Sequence, residues 1–154
     1  MEYWGRHRNK NRGYQQLRVW RDAIDYYRET SQVFGNFPFH LSRVASQAIA
    51  SSDSVHRNVA EGYCGKSIRE YLQYLNIALG SLGESVSGLI AYHKTQQISE
   101  DDFEVLNTLA YKFENGLLRL VESLEQKRNR EDWIDTLVVK ESNLVYTSEM
   151  IENE

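Results

Sequence analysis

The chain has one cysteine, Cys64, and one proline, Pro38, in 154 residues. A lone cysteine excludes an intramolecular disulfide framework, and no Cys/His spacing suits a zinc site. With a single proline, long stretches are free to run as unbroken helix. Membrane-spanning runs are also missing. The nearest, Tyr71 to His93, has Glu84 as its sole Asp, Glu, Lys or Arg, but Gln73, Asn76, His93 and several serines make it too polar for hydrocarbon. The N-terminus, "MEYWGRHRNKNRGY", lacks the apolar core of a signal peptide. These absences lead us to expect one domain held by packing alone, in a reducing cytoplasm, without membrane contact.

Catalytic signatures are equally scarce. There is no G-x-S-x-G, Walker loop or G-x-G-x-x-G, and the "GSLG" of Gly80 to Gly83 falls inside a helical pattern, where it cannot cradle phosphate. His7, His40, His56 and His93 are dispersed. No nucleophile, base and orienting group can be assembled, and Cys64, though beside Lys66, has no partner base. We therefore expect no enzyme, no cofactor and no metal.

What is present is charge, unevenly spread. The net charge is −4, yet residues 1 to 21 hold six Lys/Arg against one Glu, and residues 129 to 154 hold two against seven Asp/Glu. Tyr3, Trp4 and Tyr14 interleave with Arg6, Arg8, Lys10 and Arg12, a combination suited to phosphate contact and base stacking and equally to a solubilising tail. We divide the chain into a basic arm (1–13), a bundle (14–128) and an acidic C-terminal extension (129–154). The run "TLVVKESNLVYT" in that extension reads as a hairpin, a helix continuation or an arm on a neighbouring subunit.

Between the two ends, four amphipathic helices follow from hydrophobic periodicity. The first carries Leu17, Trp20, Ile24, Tyr27 and Phe34, with Ser31 as a weak step, and stops at "GNFP". The second carries Leu41, Ala45, Ala48, Ser52, Val55 and Val59, small in its middle, and ends in "EGYCG". A third, from about 67 to 97, has Tyr71, Leu75, Ala78, Leu82 and Leu89 on its seam. In the fourth, Ser99 caps, Ile98 staples to Phe103, and Leu106, Ala110, Phe113, Leu117, Leu120 and Leu124 continue the seam. Four helices with short connections predict an all-α, antiparallel up-and-down bundle.

The third helix poses a problem of composition. Gly80, Gly83 and Gly88 forfeit roughly 2 to 3 kcal/mol of helix propensity, and the face made by Ile77, Gly80, Ser81, Glu84, Gly88 and Ala91 is nearly uncharged. Two explanations stand. Either the small residues meet the small middle of the second helix, or this face, with Gly83, packs on another copy of the chain. Glu61 and Glu84 read as structural carboxylates, with Arg57 or Arg69 available as partners.

Three stretches, "LRVW" (17–20), "NVAEGY" (58–63) and "REYLQYLNIALGSLGE" (69–84), resemble in order and spacing the bacterial four-helix-bundle family encoded in 23S rRNA intervening sequences, over about residues 14 to 125. The same superfamily includes the accessory variability proteins of diversity-generating retroelements. The resemblance implies a cytoplasmic, non-enzymatic homo-oligomer, typically a pentamer, with a role on RNA or DNA or beside a reverse transcriptase. Asn58, Glu61 and Gly62 fall on the family's N-x-A-E-G motif, and Gly80, Ser81 and Glu84 on G-S-x-x-E, as structural positions. The family's basic pair, Q-x-R-R, is replaced after Gln47 by Ile49 and Ala50. Phosphate contact would then shift to Arg57, Lys66 and Arg69, to Arg18 and Arg21, and to the arm residues Arg6, Arg8, Lys10 and Arg12. The rival expectation is a protein-interaction scaffold without nucleic acid.

Overall fold

The structure, a computed structural model, describes residues 12–65 and 67–130. Four helices follow one another: α1 (Arg18–Phe34), α2 (Ser42–Cys64), α3 (Ile68–Lys94) and α4 (Glu100–Asn129). Each packs on its neighbours in sequence, and α4 closes on α1, giving an all-α, up-and-down four-helix bundle with no strand among the described residues.

Local chemistry sets the helix ends. The Ser67 and Ser99 hydroxyls accept from the Glu70 and Asp102 amides, each at 3.1 Å, capping α3 and α4. Ahead of α4, Ile98 is buried and Phe103 packs on the core, as a staple requires. α1 and α2 have no side-chain cap and are entered through short 3-10 turns, Gly13–Gln16 and Phe39–Leu41. α3 ends in a Schellman arrangement, with the Gln96 amide donating to the His93 carbonyl at 3.0 Å and Gln97 to Tyr92 at 2.8 Å. Gln96 there takes a φ of 61°, a conformation usually left to glycine.

The core joins Leu75, Leu82, Leu89, Leu106, Phe113 and Leu117 to Tyr26, Val55, Val59 and Tyr71. Each such side chain stabilises the fold by about 1.5–3 kcal/mol through removal from water. For α2, α3 and α4 the expected seams are the buried ones, with Val121 added to α4, except that Leu41 is half-buried in the 3-10 turn before α2. Leu120 and Phe103 flank rather than enter the centre.

α1 departs from expectation. Its buried line is Val19, Ala23, Tyr26, Thr30 and Phe34, whereas Leu17, Trp20, Ile24 and Tyr27 are half-buried on one flank. The stripe is displaced by one position because its centre contains polar residues that find partners. Asp22, 7% exposed, is bridged by Lys112 of α4 at 3.2 Å. The Thr30 hydroxyl donates to the Tyr26 carbonyl at 2.8 Å, and the Tyr26 hydroxyl pairs with Ser85 of α3 at 2.8 Å. Burial raises the Tyr26 pKa above the ordinary phenol value, and the Ser85 hydrogen bond only partly offsets it.

Candidate nucleic-acid and assembly surfaces

Up-and-down topology collects the start of α1, the end of α2, the start of α3 and the end of α4 at one pole of the bundle. Arg12, Arg18, Arg21 and Arg69 are exposed there. So are Arg128 and Arg130, and Lys127 lies beside them. Only the even number of helices brings these last residues beside the α1 arginines. The Arg21 Nη2 donates to the Gln16 carbonyl at 3.1 Å, fixing that side chain across the 3-10 turn. Arg6, Arg8, Lys10 and Lys66 lie outside the described residues, as does the acidic extension beyond Arg130.

Arg57 is placed differently. It sits about two turns up α2, and its Nε donates to Asp53 at 2.5 Å, while the same carboxylate meets His56 at 2.8 Å. Burial opposes the charge on Asp53, but hydrogen bonds and charges from Arg57 and His56 outweigh it and hold the carboxyl below its ordinary range. Arg57 therefore meets any phosphate with part of its charge already compensated.

The motif residues of α2 and α3 are fasteners between those two helices. The Asn58 amide donates to the Ser54 carbonyl at 2.8 Å and also lies 3.1 Å from the Ser54 hydroxyl, which pairs across to Ser81 at 2.9 Å. Glu84 accepts from Gln47 at 2.5 Å. Glu61 bonds the Tyr74 hydroxyl, and that bond, with the charge behind it, raises the Tyr74 pKa. The partners of Glu84 and Glu61 are thus Gln47 and Tyr74 rather than the arginines expected from sequence. Gly62 is set where a Cβ would come within 2.8 Å of the Tyr74 Cβ and 3.1 Å of the Tyr71 carbonyl oxygen, so close approach of α2 to α3 requires glycine here.

The α3 glycines behave otherwise. A Cβ on Gly80 or Gly83 would meet nothing within 4 Å, which removes the explanation that they let α3 approach α2. Gly88 lies against the Tyr92 ring of its own helix. Ile77, Gly80, Gly83 and Ala91 are exposed, with Ile77 at 44%; Ser81 is turned toward α2. Ile90 is 39% exposed. On α4, Tyr111 and Leu118, seven residues apart and so on one stripe, are 61% and 48% exposed.

No group of three or more His, Cys, Asp or Glu among the described residues could hold a metal ion, and none of the described helices is long and apolar enough to cross a membrane. His56 and His93 are instead engaged by Asp53 and Glu100, the latter ring also stacking on Phe103. His40 and Cys64 are exposed.

Comparison with known proteins adds the following. The family model described as "23S rRNA-intervening sequence protein" matches residues 15–118. A crystal structure of a protein of unknown function from the S23 ribosomal protein family of Bacteroides thetaiotaomicron VPI-5482 superposes with a TM-score of 0.61 at 18% identity, covering 68% of this chain and 95% of that one. At that identity it supports the fold. No curated protein matches the chain.

Proposed function

We propose that this chain, which belongs to the family of 23S rRNA-intervening sequence proteins, is a non-enzymatic, homo-oligomeric binder of RNA or DNA, either alone or as accessory to a reverse transcriptase, and that it contacts phosphate through the basic pole. The observation that carries this reading is the convergence of Arg12, Arg18 and Arg21 with Arg69 and with Arg128 and Arg130 at one end of the bundle. The α1 N-terminus adds to it: among the described residues it has no side-chain cap and no acidic residue in its first turn, so its amides and dipole favour an anion. Glu61 and Glu70 share this pole and lower its field, which makes each contact weak. Repetition around an oligomer multiplies weak contacts into useful affinity.

Assembly is supported by the open face of α3, where Ile77, Gly80, Gly83 and Ala91 present little charge and little relief, and by the exposed Tyr111 and Leu118 of α4. Light scattering at micromolar concentration tests it; a species of 18.0 kDa, the mass of one chain, contradicts it. The same open face favours the second reading, a scaffold that binds only protein. Titration of labelled single-stranded RNA separates the two. The first reading expects binding that weakens steeply with salt and is weaker in Arg18→Glu/Arg21→Glu; the second expects no binding even at low salt.

A further inference from the structure

At the pole opposite the arginines, one large apolar side chain is left almost wholly in solvent. Phe39, at the start of the 3-10 turn before α2, is 93% exposed, whereas the other exposed large apolar side chains of the described residues lie between 39% and 61%. The backbone that carries it is fixed on both sides: the Phe37 ring packs on Phe34 with centroids 4.6 Å apart, and the Leu41 amide donates to the Pro38 carbonyl at 2.9 Å. A phenyl group held in water forgoes the gain of burial, and such groups fill the centres of protein interfaces. Its surroundings are cationic. His40 and Arg43 are exposed close by in the chain, and no Asp or Glu occurs between Glu29 and Asp53.

The same half of the bundle offers a receptor of opposite character. A shallow groove between α1 and α4 is lined by Glu29, Glu104, Val105, Thr108 and Leu109 and encloses about 760 Å³ where it opens to solvent, room enough for an aromatic side chain. Its floor is apolar: Val105 is 49% exposed and Leu109 half-buried. Its rim holds two carboxylates and no cation, and Lys112, one turn beyond Thr108, is taken by Asp22. Within one chain, knob and groove stay apart. Phe39 stands at the foot of α2, which packs on α1 and α3, whereas α4 lies diagonally across the bundle.

We propose that Phe39 of one copy seats in the α1/α4 groove of a second copy, its ring on Val105 and Leu109, with His40 and Arg43 facing Glu29 and Glu104. Because knob and groove are unlike patches of the same chain, every copy gives one Phe39 and accepts another, and the set closes without an unfilled groove. Apolar burial supplies the attraction, while the opposite charges set the register and disfavour other occupants. The contact rests on the reading of the chain as a homo-oligomer and uses a surface separate from the open face of α3.

The test uses the full chain with the photo-reactive substitution Phe39→p-benzoylphenylalanine, which keeps an aromatic ring at that position. Heavy-isotope and unlabelled chains are mixed and irradiated, and the cross-linked peptides are identified by mass spectrometry. The contact predicts covalent dimers joined from position 39 to the groove residues Glu104 to Leu109 or to Glu29, with heavy and light chains combined in one product. Val105→Asp and Glu29→Lys/Glu104→Lys, all at the surface, should each lower that yield by about tenfold or more with the helical circular dichroism unchanged. Cross-links centred on another surface, cross-links confined to one chain, no cross-link at all, or a yield unchanged by either variant overturns the proposal. A protein that scatters light as a single chain removes the assembly reading and this contact together; one that assembles but cross-links elsewhere removes this contact alone.

Discussion

Gly62 is the residue at which sequence and packing meet most tightly. A methyl group there would sit 2.8 Å from the Tyr74 Cβ, and both helices would have to move. Gly62→Ala should therefore destabilise the protein by about 1–3 kcal/mol in urea denaturation despite its better helix propensity. The opposite is expected at Gln96, whose φ of 61° costs an L-residue about 1 kcal/mol. Gln96→Gly should recover up to about that amount, read as a raised denaturation midpoint. Asp53 supplies a pH dependence. Its folded pKa lies below the ordinary value of 3.8, so its contribution is fully present above that value and is lost as pH falls through the lower, folded one. Asp53→Asn should lower stability at neutral pH and converge with the wild type in strong acid; a constant gap across the acid range would show that the ion pair is not the cause.

At the scale of elements, periodicity alone located α2, α3 and α4 and their seams, because their buried stripes are written in apolar residues. α1 was harder to read. Asp22 and Thr30 occupy its buried line, and nothing local reveals that Lys112, ninety residues on, will compensate the carboxylate. A wheel drawn for apolarity therefore settles on Trp20, Ile24 and Tyr27, one step round. The α3 glycines were legible as an anomaly but not as a choice between two causes, since deciding required knowing that no atom lies near Gly80 or Gly83. That emptiness sharpens a prediction. Gly80→Ala and Gly83→Ala should each add about 1 kcal/mol to the stability of an isolated subunit, through helix propensity. If the face is an interface, the same changes should shift the assembly equilibrium toward smaller species by sedimentation. Added stability with unchanged assembly would place the interface elsewhere.

For the whole molecule, the central property is where the cations go. Arg18 and Arg128 are far apart in sequence and belong to helices read for quite different reasons, yet an even number of antiparallel helices returns them to one pole. The arm and the α1 arginines read as a basic patch from their order in the chain; the α4 contribution depends on topology, which no single residue reveals. Arg57 is partly spent on Asp53, so on the proposed reading phosphate contact falls to the pole. The most direct measurement is the salt dependence of binding to labelled single-stranded RNA, for the wild type and for Arg18→Glu/Arg21→Glu. Each phosphate contact contributes a slope of about −0.7 in log K against log salt. The account predicts a steep negative slope for the wild type and one shallower by about 1.4 for the double variant, with the oligomer intact. A flat slope, or an identical slope in both proteins, would contradict it.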